Sequence, residues 1–330
     1  MFNFMHSRRT LLGVALSAVV AFTGSIAFAA DNFPSKPIRV IVPFPAGAGT
    51  DIITRTVTQH LNEKNGWSFV VENRAGAGGS VGVDAAAKAK PDGYTLVMGQ
   101  TSNMAVNPSL YTHLSYDPIE GFDPVVLVAS SPIVVAVSAE SRFNNLAELA
   151  QEAREKPGQV TMGFPGSGTV SHLTGGMIQN AMGVEMQNIP YKGAGQAIVD
   201  LIGGRIDIYL GSVSALVSHE RRGSIKILGI TSASRSTELP NTPTLAESGY
   251  ENFDAVTWFG FLAPKGTPRA IVETLNLEFN KALQHPDVIE KLQVEGGDIL
   301  GGTPEQFAQL LKEELPRWAQ VVKDSGVTVD

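Results

Sequence analysis

Apolar residues along this chain come in short runs separated by stretches of helical spacing. Residues 38–44 form an apolar run interrupted only by Arg39, which predicts a strand covered on both faces. Helical spacing follows over 52–61, a strand over 67–72 and a helix over 81–90. After the Pro91-Asp92-Gly93 turn, 95–98 read as a strand. This βαβαβ order predicts a parallel sheet with right-handed crossovers. The rhythm breaks over 114–123, a loop containing Tyr116-Asp117-Pro118. Two apolar strand segments come next, 124–129 and 133–137, split by Ser130-Ser131-Pro132. A strand-like stretch interrupted at its middle suits a crossing between two lobes.

A second αβ series then begins. Helices are predicted over 146–155, 170–181, 194–202 and 213–221, and strands over 160–164, 186–190, 206–210 and 225–230. Residues 258–263 read as the return crossing. The rest is helical, over 270–283, 287–294 and 304–322, with a kink expected at Pro316. The expectation is an α/β fold of two lobes, each with a central, mostly parallel sheet, joined by two crossover segments that form a hinge. Lobe 1 takes residues 31–130 and 235–330, and lobe 2 takes 131–234.

Composition narrows the function classes. The 330 residues suffice for two ordinary domains. Glycine and proline are frequent but not periodic, which excludes collagen-like and disordered chains. The first 30 residues read as a signal peptide. Arg8 and Arg9 precede an apolar stretch, and Ala27-Phe28-Ala29 is a small-x-small cleavage site. Ser7-Arg8-Arg9-Thr10-Leu11-Leu12 is similar to a twin-arginine signal, with Sec export equally open. Losing both arginines takes the formal charge from −7 to −9. Dispersed lysine and arginine on so acidic a chain argue against nucleic-acid binding. With no cysteine there is no lipid anchor, disulfide or thiolate metal site. The expectation is a soluble periplasmic protein whose mature chain does not insert into a membrane.

The chemistry concentrates in loops at strand ends. "VPFPAGAGTDIITR" carries the first predicted strand through a Pro-Gly loop into a helix. In an open parallel sheet that is where ligands bind. Gly47 and Gly49 permit close backbone approach, Thr50 or Asp51 can cap the helix, and its dipole favours an anion. A phosphate loop would end in Gly-Lys-Ser/Thr; here Gly49 is followed by Thr50 and Asp51, which suits a carboxylate better. The loop reads equally as a Gly-rich turn that Asp51 merely caps. A second loop tips the balance. Phe164-Pro165-Gly166-Ser167-Gly168-Thr169 echoes Phe44-Pro45-Ala46-Gly47-Ala48-Gly49-Thr50, one residue shorter, and also joins a strand to a helix. Two such loops facing each other would hold the two carboxylates of a diacid.

Ser167, Thr169, Ser171 and His172 add donors at the second loop, although His172 reads equally as structural. Ser102 and Asn103, after the third strand, are a third candidate wall. Tyr191 and Ser212 lie at further strand-to-helix turns. Lys192 is expected in solvent. Trp258 and Phe44 could line an apolar part of the cleft or belong to the core. Other motifs carry less. The glycines at 76–82 do not fit G-x-G-x-x-G, because Val81 holds the last position. No G-x-S-x-G or H-E-x-x-H is present, and the histidines are scattered. A serine hydrolase using Ser167 or Ser171 with His172 would lack an oriented acid partner. No cofactor, metal or catalytic group is expected.

In combination, several segments are specific. They are "PSKPIRVIVPFPAGAGTD" at 34–51, "VVENRAGAGGSVG" at 70–82, "KPDGYTLVMG" at 90–99, "YDPIEGFDPVVLVA" from Tyr116, "SHLTGGMIQ" from Ser171 and "IPYKGAGQAIVDLIGGRID" from Ile189. "ILGITSASRSTELPNTPTLAESG" from Ile227 and "GFLAPKGTP" from Gly260 complete the set. With them the mature chain resembles the substrate-binding proteins of tripartite tricarboxylate transporters, the Bug family of bacterial periplasmic receptors. The resemblance implies a type II periplasmic-binding fold and a small organic acid as ligand. It also implies that residues 45–51 and 166–172 hold the acid, partly through backbone amides and ordered water. One departure is Ala48, where many relatives have glycine. The implied role is a monomeric receptor that closes on a mono- or dicarboxylate, aliphatic or aromatic, and hands it to membrane subunits of a transporter. A sensor presenting its closed form to a signalling partner is the alternative.

Overall fold

The computed structural model describes residues 33–294 and 296–327. The export segment expected over 1–30 lies outside them. Residues 33–35 belong to a separate N-terminal unit and carry no helix or strand; the fold is that of the chain from Lys36 on.

β1 (Ile38–Val42), α1 (Gly49–Asn65), β2 (Phe69–Asn73), α2 (Ser80–Ala87) and β3 (Thr95–Gln100) form the first arm. β1 pairs in parallel with both β2 and β3, and four of its five residues are buried. That burial is why the run shows no alternation. The second arm begins with α4 (Leu146–Glu155) and continues through β5 (Thr161–Phe164), α5 (Val170–Met182), β6 (Gln187–Pro190), α6 (Ala194–Ile202), β7 (Ile208–Ser212), α7 (Val213–Arg221) and β8 (Ile225–Ile230). β5 pairs in parallel with β6 and β7. The arms thus share one topology, with the first strand in the middle of the three. The point where the order reverses, at the carboxyl end of β1 or β5, is where an open α/β sheet offers a crevice.

Between the arms the structure departs from the expected pattern. β4 (Phe122–Ser138) is one strand of 17 residues, where two were expected. Ser130, Ser131 and Pro132 remain extended because β9 (Val256–Pro264) pairs alongside, antiparallel, up to Pro132. From Ile133 onward β4 pairs instead with β7 and β8. Pro132 sits opposite Val256, where β9 begins, a place that tolerates a residue without an N–H. β9 also pairs antiparallel with β3. The sheet is therefore mixed: parallel within each arm, antiparallel where β4 and β9 run between them.

The chain after β9 is α8 (Arg269–Leu283), α9 (Pro286–Val294), the short β10 (Asp298–Gly301) and α10 (Pro304–Ser325). β10, too short and polar to stand out in the sequence, pairs with β4. α10 opens with a capping box between Thr303 and Gln306 and continues as one helix across Pro316. Residues 102–106 form a π-helical turn leading into α3 (Asn107–Leu110), where the sequence suggested a loop. Among the described residues no helix is long and apolar enough to cross a membrane.

Candidate functional site

The turns that end β1 and β5 share one bonding pattern. In the first, the Ala48 N–H donates to the Pro45 carbonyl at 3.3 Å. Gly47, third in the turn, has φ +78°, and its N–H donates to Asp51 Oδ2 at 2.9 Å. In the second, the Thr169 N–H donates to the Gly166 carbonyl at 3.4 Å. Gly168, again third, has φ +72°, and its N–H donates to His172 Nδ1 at 3.1 Å. A positive φ at this position is what a type II turn requires, so glycine stands there twice. The match pairs residues 45–48 with 166–169, with Ala48 and Thr169 as the helix N-caps. The sequence echo had set Gly49-Thr50 against Gly168-Thr169; the bonding shifts that correspondence by two residues.

Asp51 and His172 build the turns from behind. Asp51 is 3% exposed. Its carboxylate also accepts from Arg55 Nε at 3.0 Å and Asn73 Nδ2 at 2.9 Å. Burial pushes the Asp51 pKa up, but the hydrogen bonds from Arg55, Gly47 and Asn73 together outweigh it, and the group ends below the usual carboxylate range. His172 stacks on Phe164, with ring centroids 4.2 Å apart and planes 14° from parallel. Burial lowers its pKa and favours the neutral ring. With Nδ1 accepting from Gly168, the proton of that neutral ring is on Nε2. No lone pair remains for a serine proton, so Ser167 and Ser171 have no base in His172.

A cavity of about 630 Å³ opens beside both turns. Four helix N-caps border it: Ala48 of α1, Thr169 of α5, Gly193 of α6 and Ser212 of α7. Only Thr169 caps its own helix through its side chain; the first turns of α1, α6 and α7 carry no such cap. Their amides and dipoles favour an anion. Hydroxyl and amide groups complete the polar wall, among them Thr50, Gln100, Ser102, Ser131 and Thr257. Phe44, Ile53, Leu110, Ile133 and Phe259 supply apolar surface. No lysine, arginine, histidine, aspartate or glutamate is among the described residues lining it. Nor is any cluster of three or more potential metal ligands found among the described residues.

Of the residues singled out in the sequence, Phe44, Pro45, Ala48, Gly49, Thr50, Ser102, Ser167, Gly168, Thr169, Ser171 and Ser212 line the cavity. Ala46, Gly47, Asp51, Gly166 and His172 belong to the turns and their supports but are not on the wall. Three others point elsewhere. Asn103 is buried, and its Oδ1 accepts the Gln100 N–H at 3.0 Å. The Tyr191 hydroxyl donates to Asp200 at 3.0 Å. Trp258 is 2% exposed and donates its indole N–H to Glu314 Oε2 at 3.2 Å. Side chains alternate along β9, so Thr257 and Phe259 reach the cavity while Trp258 faces the opposite side. Lys192 is exposed. Sequence reasoning missed Gln100, Gly193, Ser214 and the residues on β4 and β9. Alternation about Trp258 was the one signal available for Thr257 and Phe259.

Residues 53–327 match the model of the tripartite tricarboxylate transporter family receptor, TctC. BugT of Bordetella pertussis is 38% identical over 319 residues, spanning 96% of this chain and 98% of BugT. An R. palustris protein solved with adipate is 32% identical, with a TM-score of 0.80 over 90% of this chain and 99% of that one. MatC from Rhodopseudomonas palustris, solved with bound malate, is 30% identical, with a TM-score of 0.75 over 88% and 100%.

Proposed function

Since this chain belongs to the tripartite tricarboxylate transporter family of receptors, among the Bug proteins, we propose that it captures a small mono- or dicarboxylic acid in the periplasm and delivers it to the membrane subunits of a tripartite transporter. The observation that carries this reading is the meeting of four helix N-caps at one cavity with no charged side chain among the described residues on its wall. Such a site neutralises a compact anion with backbone amides, dipoles and hydroxyls. One carboxylate meets the turn at residues 45–51, and the other end of the acid meets residues 166–172. The apolar side chains between them accept an aliphatic or aromatic spine. Relatives solved with adipate and malate support the ligand class.

The change of partners along β4 at Pro132 and Ile133 supports a hinge there, with residues 131–234 as one lobe and 31–130 with 235–330 as the other. An acid that touches both lobes stabilises the closed form by its differential affinity for that form. In this reading residues 1–30 are removed on export and the mature protein acts as a monomer.

Thermal-shift and calorimetric titration of ligand-stripped protein, with aliphatic and aromatic mono- and dicarboxylates, tests the binding step. At least one acid raises the melting temperature and gives saturable heat; silence across the panel overturns the reading. Uptake of the labelled acid should fall in a deletion strain. Undiminished uptake would assign the protein to sensing.

A further inference from the structure

Ser131 lies near the centre of β4, one residue before Pro132, which stands opposite the first residue of β9. It is 5% exposed, it lines the cavity, and its Oγ has no hydrogen-bond partner. Among the described buried side-chain atoms that lack a partner, it is the only one on the cavity wall. Across the β4–β9 pairing Ser131 stands opposite Thr257, which lines the same cavity. Ile133 and Phe259, the next residues on that face of each strand, are apolar. The crossing strands therefore present a polar spot in an otherwise apolar stretch of wall, separate from the turns at residues 45–48 and 166–169.

Folded proteins rarely leave a buried hydroxyl unpaired. One that opens on a ligand cavity is completed by the ligand, and a ligand without a matching group leaves it uncompensated. We propose that Ser131, with Thr257 opposite, reads an oxygen substituent on the carbon skeleton of the bound acid. The receptor then prefers hydroxy or oxo acids to the unsubstituted acid of the same length. A serine hydroxyl both donates and accepts, so either substituent satisfies it. This inference rests on the carboxylate reading of the cavity and deepens it.

Calorimetry on ligand-stripped protein tests it with matched pairs: succinate and malate, adipate and 3-hydroxyadipate, phenylacetate and mandelate. Wild type should bind the hydroxylated member of a binding pair about three- to tenfold more tightly, the worth of one neutral hydrogen bond. Ser131→Ala should bring that ratio close to one, because it removes the hydrogen bond from the hydroxylated member and the unpaired hydroxyl from the plain one. Thr257→Val should reduce the ratio and decides the matter if Ser131→Ala melts early. The proposal is overturned if the ratio survives both substitutions, or if wild type has no preference. It is also overturned if Ser131→Ala weakens both members equally, which would put the serine on a carboxylate. If no acid of any pair binds wild type, the carboxylate reading itself has failed.

Discussion

The backbone N–H of Gly168 donates to Nδ1 of His172 across 3.1 Å, the same four-residue reach by which Gly47 meets Asp51. One arm locks its turn with a neutral imidazole and the other with a carboxylate. Both acceptors sit behind the wall, so each turn is held in shape from outside the cavity.

The imidazole gives the second turn a pH dependence. Burial holds the folded pKa of His172 below its ordinary value of 6.5. Between those two values the unfolded chain binds more protons, so stability rises with pH. The His172 contribution is complete above about pH 6.5 and is lost as pH drops through the folded value. His172→Phe keeps a ring against Phe164 but removes the acceptor. It should cost about 1 kcal/mol at pH 8 and lose less stability than wild type between pH 8 and pH 5, as read by urea denaturation at both pH values.

Asp51 carries the first turn. Asp51→Ala leaves the Gly47 N–H, Arg55 and Asn73 without their shared acceptor. We expect a loss of about 1–3 kcal/mol together with weaker acid binding. The carboxyl is held below its ordinary range, so its contribution is present above the unfolded value and is lost as pH falls through the folded one. The variant should therefore lose less stability than wild type as acid is added. Equal acid sensitivity in urea melts would contradict this.

Gly47 separates conformational cost from crowding. A Cβ placed there meets nothing within 4 Å, so Gly47→Ala is opposed only by its φ of +78°. That costs about 1–2 kcal/mol and should misalign the turn, lowering both melting temperature and affinity. At Gly49, whose Cβ also meets nothing within 4 Å and whose φ carries no such strain, Gly49→Ala should keep the melting temperature and weaken binding alone, since Gly49 lines the cavity.

Neighbouring aromatics on β9 should separate stability from binding. Trp258→Phe withdraws one donor from buried Glu314, which still accepts from Trp318 at 2.7 Å and Arg317 at 2.5 Å. It should cost about 1–2 kcal/mol with affinity unchanged. Phe259→Ala removes part of the apolar wall and should weaken acid binding in calorimetry.

Where an element depends on its own residues, the sequence alone determined it. Helices α4, α6 and α7 and strand β8 begin and end at the predicted residues, because apolar spacing and flanking turn residues are local. The paired Gly-Pro loops were legible for the same reason: a left-handed turn position selects glycine wherever it occurs. Tertiary structure decided what depends on a distant partner. Ser130-Ser131-Pro132 reads as a break, but β9 pairs with it and the strand continues. Trp258 and Phe259 are equally apolar in sequence; the strand register sends the first to Glu314 and the second to the cavity. The two-residue offset between the turns appears only in their hydrogen bonds. Pairing and register are set by residues more than a hundred positions apart, and no local pattern carries them.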